Sequence, residues 1–461
     1  MTSLRTHLET LETVDDLLHV EPRVHWTDVA AVGREAAEHG GPAVVFEDTP
    51  GTVRLASGVY GGPDRMQSRS RKPWSRIVYG IGKRDTAYSN CLDTVSEIGL
   101  ERTSVTETEL EATPIDTELY SLGLPTIGDT DCPAVTLCLL AYQTEDGTVW
   151  VPMQGTVRGG DELRGVVPES AAGRLAETPV TVVSGVPAAS LITAHVHATS
   201  NRTLAEAPEI AAAVDPFPVA SSAGGQVPAE AELVIDGTAT PPDTEPTDDR
   251  AVWESAVETA AVHIDVTNVA AREDPIVPFT PVHASLSDDV QLSSIVESAR
   301  LHARINSYWG VEPVEWVALP AETGLGMCLV ASEILYAGFE WQLVNTLFSF
   351  SRLFDKVVVL DKGVRPADLS RAFDDMWVRA HPSHDWEFSD PSAPAATIPS
   401  YRQTGETGSR LYVNATWDPR WDETYIAPRV TFESSFPEDV RETVREQWSN
   451  LGFEKPFRGN R

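Results

Sequence analysis

The stretch that best organises this chain reads Val227-Pro-Ala-Glu-Ala-Glu-Leu-Val-Ile-Asp-Gly237, and it continues as a loop to Arg250. Its first half alternates and is rich in Val, Leu and Ile, which predicts a β-strand closed by a turn at Asp236-Gly237. Its second half is acidic and interrupted by prolines. A carboxylate on a loop that leaves a buried strand can lie in a partly dry cleft with a raised pKa, which suits a general acid or base. The alternative is a solvated turn in an acidic protein.

The region around this stretch is predicted to be mostly β. Short β-rich runs separated by Gly, Pro and Asp occur at Ala134 to Ala141, Thr148 to Val157, Val180 to Ser184, Glu232 to Ile235 and His263 to Val269. Several antiparallel strands with irregular connections predict a barrel or a sandwich. Apolar residues at helical spacing from Leu292 to Trp309 predict a helix that links this region to the C-terminal third.

Both ends of the chain mix helices with strands. The N-terminal part begins with a helix striped by Leu4, Leu8 and Leu11, and strands follow at Ala43 to Phe46 and Arg54 to Ser57. The last third alternates strands (Val314 to Leu319, Cys328 to Ala331, Lys356 to Leu360) with helices (Phe339 to Phe354, Pro366 to Arg379, and a tail helix from Phe436). This alternation predicts a largely parallel sheet.

The predicted fold class is therefore a multidomain α+β protein. An N-terminal α/β domain (1–112) precedes a β-barrel domain (113–285), a linking helix (286–310) and a C-terminal α/β domain (311–461) that ends in the tail helix. With 461 residues and 41% hydrophobic content, the chain is long enough for two or three cores.

The charge of the chain limits its partners. Its net charge is −34, from 69 acidic and 35 basic residues, and only five of the basic residues are lysines. An acidic, lysine-poor surface predicts a saline cytoplasm, in which salt screens the self-repulsion of the compact state. Such a surface argues against binding to nucleic acid or to an anionic membrane.

Cysteine usage and hydropathy bear on the compartment. The four cysteines lie far apart without a Cys-x-x-Cys pair, so neither a zinc cage nor a disulfide framework is expected. The N-terminus lacks an apolar core of signal-peptide length, and no run of about 18 apolar residues occurs. We expect a cytoplasmic protein.

One segment of this acidic chain, from Arg65 to Arg84, is strongly basic. Between Arg65 and Arg84 there are seven basic residues and no acidic one. Such a run indicates either an anion or phosphate site or a face that pairs with acidic residues of a neighbouring subunit.

The stretch from Val227 to Gly237 resembles the segment vPA-x-x-E-I-V-x-E-G of the UbiD family, decarboxylases of aromatic and unsaturated acids that use prenylated FMN. Four other segments resemble motifs of that family in the family's order, and they are Gly40 to Glu47, Gly155 to Arg158, Ala271 to Ile276 and Gly408 to Thr416. The chain is identified as a divergent member of haloarchaeal type. The resemblance implies a split β-barrel similar to that of flavin reductases, and a tail helix that helps oligomers form.

The resemblance also implies a cofactor site on the predicted strand at Thr148 to Val157. Arg158 matches the family arginine, and its guanidinium would hold a substrate carboxylate bidentately. Gly155 and Thr156 belong to the same cofactor-binding stretch. Met153 stands where the family has a metal-binding Asn, and Glu209 loosely matches the metal-binding Glu. The metal expected from the family is a divalent ion such as manganese.

The acid/base residues of the family come from the loop E-G-P-F-G-E. Glu245, Asp248 and Asp249 stand at this place, so carboxylates persist while the glycines that shape the loop do not. In the C-terminal motif, Asn414 replaces the family's Asp.

The metal ligands depart most from the family pattern. The thioether of Met153 is a soft ligand that cannot replace an amide oxygen for a hard ion, and no histidine occurs between Arg158 and Val180. His195 and His197 are spaced for one face of a strand and could bind a metal, although surface polarity is the commoner reason for such a pair. These departures predict weak or absent manganese-dependent flavin binding.

Two functions remain open from the sequence. The first is a non-oxidative decarboxylase of a small aromatic or α,β-unsaturated carboxylic acid that uses prenylated FMN. The second is a catalytically degenerate homologue, acting as a structural or regulatory partner subunit of a related decarboxylase. Partners are accordingly a small carboxylic acid, further copies of the chain, or a related enzyme. Fold resemblance alone does not choose between them.

Overall fold

The computed structural model describes residues 2–62, 74–85, 87–116, 118–126, 132–199, 204–240, 258–281, 286–364, 369–389, 393–394, 407–417, 432–448 and 450–451. Its N-terminal elements are α1 (Leu4–Thr13), β1 (Leu17–Val20), α2 (Trp26–Glu38), β2 (Ala43–Phe46), β3 (Arg54–Ser57), α3 (Ser75–Gly80), α4 (Tyr88–Ser96), β4 (Thr106–Glu107) and β5 (Thr113–Pro114). The predicted strands β2 and β3 are confirmed, as is the buried leucine stripe of α1.

A closed six-stranded β-barrel forms the centre of the molecule. Its elements, with the helices and short strands between them, are β6 (Ala134–Thr144), β7 (Gly147–Arg158), β8 (Glu162–Pro168), α5 (Glu169–Ala172), β9 (Thr178–Ser184), α6 (Ala188–Thr199), α7 (Ala207–Val214), β10 (Pro218–Ser222), β11 (Gly225–Pro228), β12 (Leu233–Thr240) and β13 (Thr259–Ala271). The strand order is β12-β9-β6-β7-β8-β13, and pairing of β12 with β13 closes the barrel. The sequence predicted a barrel or a sandwich, and closure selects the barrel because it leaves no long free edge.

The expected turn at Asp236-Gly237 is wrong, because β12 continues through both residues to Thr240. The pairing with β13 instead shifts register between Asp236 and Gly237, which is a β-bulge. A Cβ on Gly237 would lie 2.5 Å from the carbonyl oxygen of Asp265, so only glycine permits this approach. The Asp236 carboxylate accepts a hydrogen bond from Thr181 at 2.7 Å, which holds the bulge on the neighbouring strand.

Helices α6 and α7 interrupt the region that was predicted to be mostly β. They follow β9, and α6 packs across β6 and β7 on the outside of the barrel. The hydrophobic periodicity of this segment does not indicate a helix, because α6 is buried on nearly every side and so lacks a polar stripe.

The chain then returns to the N-terminal sheet. Strand β14 (Ile276–Pro278) pairs in parallel with β3 and completes a sheet of order β1-β2-β3-β14. The long helix α8 (Asp288–Tyr308) follows, as predicted, and Leu292 packs in the cluster shared with the N-terminal region while Leu301 packs with the C-terminal region. It therefore joins the two cores. The proposed domain boundaries remain a prediction.

A buried carboxylate fixes the start of α8. Asp288 is 1% exposed and accepts backbone N–H groups from four successive residues, Gly58 to Gly61, at 2.6 to 3.2 Å. Arg76 braces the same loop by donating to the carbonyl oxygen of Gly58 and pairing with Asp16 at 2.7 Å. Arg76 thus serves an ion pair within its own chain. Arg65, Arg69, Arg71 and Lys72 of the basic run lie outside the described residues.

The C-terminal part contains a mixed sheet. Its elements are β15 (Val314–Ala318), β16 (Met327–Ser332), α9 (Phe339–Phe350), β17 (Lys356–Asp361), α10 (Leu369–Arg379), β18 (Trp386–Phe388), β19 (Ala393–Pro394), β20 (Thr407–Gly408), β21 (Leu411–Ala415), α11 (Phe432–Ser435) and α12 (Glu438–Gln447). The order is β15-β16-β17-β21-β18, with β16, β17 and β21 parallel and both edge strands antiparallel. The parallel centre is as predicted.

The tail helix lies apart from the cores. Among the described residues of α12, none is buried, and Val440 on its apolar stripe is 40% exposed. No helix in the described part of the chain is long and apolar enough to cross a membrane.

The stretch from Val227 to Gly237 joins the barrel to the N-terminal helix α1 through Glu232. Glu232 is fully buried and accepts two hydrogen bonds from Arg5 at 2.8 Å, one from Arg272 at 3.1 Å and one from the backbone N–H of Ile276. Two segments of the family resemblance, around Glu232 and around Arg272, therefore meet in one ion-pair network. Their role in this fold is structural.

Candidate functional site

The predicted cofactor-binding residues lie on β7, and they divide between its two faces. Met153 is 1% exposed and packs in the barrel interior with Val157. Successive side chains of a strand point to opposite faces, so Thr156 and Arg158 face outward. Gly155 lies on the inward face, where a Cβ would come within 3.0 Å of the methyl group of Met153. The structure therefore does not bring Met153 and Arg158 onto one surface.

The outward face continues as two rows across neighbouring strands. In the first row, Arg158 lies opposite Glu162 on β8, which lies opposite Asp265 on β13. In the second row, Thr156 lies opposite Arg164 and Arg164 lies opposite His263. Directly opposite residues of antiparallel strands share a face. We call these six residues the outer barrel patch.

Arg158 is a charged residue of the patch with a buried donor atom that lacks a partner. It stands at the end of β7, half-buried, and its Nε atom has no hydrogen-bond partner in the described part of the chain. An unpartnered buried donor is destabilising unless a ligand or water supplies an acceptor. A guanidinium in this state fits a carboxylate or a phosphate, which can accept two parallel N–H groups.

Glu162 pairs with Arg164 and lies close to His263, whose Nε2 atom is buried without a hydrogen bond among the described residues. Arg164 Nε donates to Glu162 Oε1 at 2.5 Å, and His263 Nε2 lies 2.8 Å from the same oxygen. Burial acts to raise the pKa of Glu162, but the hydrogen bond from Arg164 and the nearby His263 outweigh it, so this pKa lies below its ordinary value. Glu162 is thus held ionised beside Arg158. The sequence analysis missed these residues, although their alternate spacing after the Gly159-Gly160 turn was a usable signal.

The predicted acid/base residues Glu245, Asp248 and Asp249 lie outside the described residues. The described ends of their loop do indicate where it starts, because Thr240 pairs with His263 in the second row of the patch. In the closed barrel, β7 and β12 are three strands apart in both directions, so Thr240 lies across the barrel from Thr156 and Arg158. The loop therefore leaves the barrel beside His263, at the β13 edge of the outer barrel patch.

The residues present do not fit the metal site of the resemblance. Met153 faces the barrel interior, and Glu209 lies in the first turn of α7, where its backbone oxygen accepts the N–H of Thr103 at 3.0 Å. Within the described ranges, no group of three His, Cys, Asp or Glu side chains could hold a metal ion. No step of the chemistry below is assigned to a metal.

The interpretation of His195 and His197 as neighbours on a strand face is wrong. Both lie on α6, where residues two apart point in widely different directions. Burial lowers the pKa of each to about 4, so both rings are neutral near pH 7. His197 Nδ1 accepts the backbone N–H of Leu204 at 3.1 Å, which explains it as a structural residue.

Asn414, which replaces the Asp of the C-terminal motif, lies on β21. Its side-chain oxygen accepts hydrogen bonds from the backbone and the hydroxyl of Thr416 at 3.1 and 2.6 Å. It therefore closes the turn after this strand.

Comparison with protein families agrees with this architecture. The 3-octaprenyl-4-hydroxybenzoate carboxy-lyase Rift-related domain matches residues 149–284, and the C-terminal domain of the same carboxy-lyase matches residues 290–415. Together these ranges exceed half of the chain. The chain belongs to the UbiD family. The Rift-related match spans most of the barrel, including Arg158 and both rows of the outer barrel patch.

Individual UbiD relatives match over nearly the full length. The pyrrole-2-carboxylic acid decarboxylase of Pseudomonas aeruginosa is 21% identical over 97% of this chain and 98% of its own. The UbiD-class enzyme HmfF from Pelotomaculum thermopropionicum, solved with FMN, has a TM-score of 0.79 and 18% identity over 95% of this chain and 99% of its own. The vanillic acid decarboxylase of Sedimentibacter hydroxybenzoicus has a TM-score of 0.77 and 18% identity over 98% and 99%. The structural likenesses establish the shared fold.

Proposed function

We propose that this UbiD-family protein is a non-oxidative decarboxylase of a small aromatic or α,β-unsaturated carboxylic acid. The observation that carries the proposal is the half-buried Arg158 of the outer barrel patch, whose buried Nε atom has no hydrogen-bond partner within the described residues. The family match supports the reaction class, and the relative from Pseudomonas aeruginosa is itself a decarboxylase. The acid that serves as substrate is left open within this class.

Arg158 holds the substrate carboxylate in this proposal. Two parallel N–H···O bonds would fix the plane of the carboxylate and the direction of the bond that breaks. Glu162, which pairs with Arg164, lies opposite Arg158 in the strand register and adds a negative charge to the same face. A lysine at the same position would supply the charge but not the planar fork.

Proton transfer is assigned to the loop that leaves β12. Loss of CO2 leaves a carbanion equivalent that must be protonated, and Glu245, Asp248 and Asp249 are the carboxyl groups of that loop. Their assignment rests on the position of Thr240 beside His263 and on the family resemblance.

Prenylated FMN is the cofactor that the family implies, and two related structures contain prenylated FMN or FMN. When bound, it would act as the electron sink for the decarboxylation. Thr156 and Arg158, on the outward face of β7, are the residues of this chain assigned to its binding, and the buried Nε of Arg158, which lacks a partner among the described residues, fits an anionic group of a flavin or of a substrate. Met153, Glu209 and a divalent ion such as manganese are not part of the proposal.

The decisive experiment measures CO2 release by protein co-expressed with a prenyl-flavin synthase. A panel of pyrrole, furan, hydroxybenzoic and cinnamic acids would cover the proposed substrate class. We expect turnover of at least one acid, and a loss of about 10²-fold or more in kcat/KM for Arg158→Ala. Arg158→Lys should recover only part of this loss.

A matched control separates this effect from a general change of charge. Arg34→Ala removes an arginine that is half-exposed on α2 and pairs with Glu38, so its turnover should equal that of the unchanged protein. Absence of turnover for every acid, or equal turnover in Arg158→Ala, would contradict the proposal.

A second candidate is the catalytically degenerate homologue, acting as a partner subunit of a related decarboxylase. The burial of Met153 in the barrel favours it, because the phosphate of a flavin would lack a metal at this position. In that case the purified protein carries no flavin absorbance after co-expression, and it raises the stability or activity of a co-expressed homologue. Tight co-purification of prenylated FMN with stoichiometric manganese would contradict both this candidate and our metal assignment.

Three further properties belong to the proposal. We infer self-association, because α12 exposes its apolar stripe and because a dimeric form of a related UbiD-class enzyme has been solved. We also infer a cytoplasmic, salt-adapted protein from the net charge of −34. Similarity of the barrel to the split barrel of flavin reductases remains an inference from the family.

A further inference from the structure

A cavity of about 550 Å³ opens in the C-terminal region, away from the outer barrel patch. It lies where the antiparallel edge strand β18 meets β21, on the face of the sheet that α9 covers. Its walls come from the start of α9, the segment after α10, and these two strands. Nothing in the proposed decarboxylation uses this cavity.

Carboxylates and aromatic rings dominate one side of the cavity. Glu340 belongs to the first turn of α9, while Asp385 and Glu387 flank Trp386 on the edge strand. The ring of Trp341 packs edge-on against Tyr412 with centroids 5.2 Å apart. Glu387 lies directly opposite Tyr412 in the strand register, so the two side chains share this face.

Arg379, the arginine among the described residues of the cavity wall, lies close to two acidic residues that do not line the cavity. Arg379 forms an ion pair with Asp361, its Nε lies 3.6 Å from Asp375, and its guanidinium stacks over Trp417 at 4.8 Å. The exposed His381 and His384 contact each other and the hydroxyl of Ser383. Around Tyr412, the cavity wall therefore carries the carboxylates of Glu340 and Glu387, which form no ion pair within the described residues, and of Asp385, which accepts the backbone N–H of His381 at 2.7 Å.

The hydroxyl of Tyr412 supplies a second, independent indication of a ligand. Tyr412 is 4% exposed, it lines the cavity, and its hydroxyl has no hydrogen-bond partner in the described part of the chain. Burial, followed by the charges of Glu340, Glu387 and Asp385, raises the pKa of Tyr412 above its ordinary value. Those three carboxylates thus act on the same buried hydroxyl. Burial and the charge of Glu340 likewise raise the pKa of Glu387.

We propose that this cavity binds a small organic ammonium ion. Its N–H groups would donate to the Tyr412 hydroxyl oxygen and to the carboxylates of Glu387 and Glu340, and its apolar body would lie against Trp341. Carboxylates combined with aromatic faces are the side chains that attract an organic cation. A metal ion is disfavoured because the described residues contain no cluster of three metal-ligating side chains. A carboxylate ligand would be repelled by the same three acids.

The test is isothermal titration calorimetry of the full-length protein with three probes of one shape. Benzylammonium carries the proposed charge, benzyl alcohol is neutral, and benzoate is an anion of the proposed substrate class. At about 0.15 M salt, where surface charges are screened beyond about 8 Å, we expect benzylammonium to bind at least about tenfold more tightly than benzyl alcohol. Benzoate should not bind at this cavity.

Two substitutions locate the binding. Glu387→Gln removes one charge with little change of shape and should weaken benzylammonium binding by about fivefold or more, and Tyr412→Phe should weaken it by a smaller factor. Glu145→Gln, in the exposed turn between β6 and β7, makes the same charge change outside the cavity and should leave binding unchanged. Circular dichroism checks that each variant is folded.

Each contrary result overturns the proposal. These results are no benzylammonium binding, equal binding of benzyl alcohol, or equal binding in Glu387→Gln and Glu145→Gln. Benzoate binding that is lost in Arg158→Ala but kept in Glu387→Gln would support the decarboxylase site alone, so the two hypotheses fail separately.

Discussion

Glu232 and Arg158 are both charged residues of the barrel, and they differ in burial and in their hydrogen-bond partners. Glu232 lies just before β12, is fully buried, and has each oxygen occupied by Arg5, Arg272 or the Ile276 N–H. Arg158 ends β7 half-buried, with a buried Nε that has no partner in the described ranges. The motif that best reveals the family thus stabilises the fold, while the unsatisfied group is the one available for chemistry.

The largest expected effect on stability is at Glu232, the carboxylate with a full set of hydrogen bonds. Glu232→Gln leaves two arginines without their buried partner, and a broken buried ion pair costs about 3–5 kcal/mol. Urea unfolding measures the loss. Glu111→Gln is the control, because Glu111 pairs with the same Arg272 but has a side chain that is 42% exposed, so its loss should stay below about 1 kcal/mol. Equal losses would show that burial does not distinguish the two partners.

The second effect concerns Asp288, another buried carboxylate with several hydrogen-bond donors. Burial raises its pKa to about 6 from an ordinary 3.8, against the opposing hydrogen bonds from Tyr60 and Gly61. Because the folded pKa exceeds the unfolded one, the stability contributed by this group is full below about pH 4 and is lost as pH rises through about 6. The difference between a pKa of about 6 and one of 3.8 corresponds to about 3 kcal/mol of unfolding free energy.

The non-titrating variant Asp288→Asn isolates this contribution. The difference in unfolding free energy between the unchanged protein and the variant should be larger at pH 4 than at pH 7, since the other carboxylates cancel in the comparison. A difference that is constant across this range would show that the backbone N–H bonds hold Asp288 ionised throughout.

The third effect is a salt dependence that separates surface charge from buried pairs. The net charge of −34 should make the melting temperature rise by several degrees between about 0.1 and 3 M KCl, as the screening length falls from about 10 Å to below about 3 Å. The loss caused by Glu232→Gln should change little over the same series, because buried pairs are screened weakly. A flat or falling melting curve would remove the interpretation of salt adaptation.

The smallest expected effect on stability is at Arg158. Since its Nε has no hydrogen bond to lose among the described residues, Arg158→Ala should change the free energy of unfolding by less than about 1 kcal/mol while it abolishes most turnover. Thermal unfolding of the variant used for the activity measurement tests this. A loss comparable to that of Glu232→Gln would identify Arg158 as a second structural anchor.

Much of the fold was predictable because the evidence was local. Alternating Val, Leu and Ile predicted the barrel strands, and the leucines of α1 predicted its buried face. The wrong predictions also have physical reasons. Helix α6 was missed because it is buried on nearly all sides and shows no amphipathic period, and β12 was ended too early because Gly237 permits a bulge as readily as a turn.

The sequence by itself determined the family, the net charge and most of the barrel strands, since each depends on residue types and their spacing along the chain. The candidate site needed the tertiary structure. Strand alternation placed Met153 inside the barrel and Arg158 outside, and only the pairing of β7, β8 and β13 brought Glu162 beside Arg158 and His263 beside Glu162. Whether a charged residue is satisfied depends on neighbours that are distant in sequence, as Arg5 and Glu232 show, and this is decided when the chain folds.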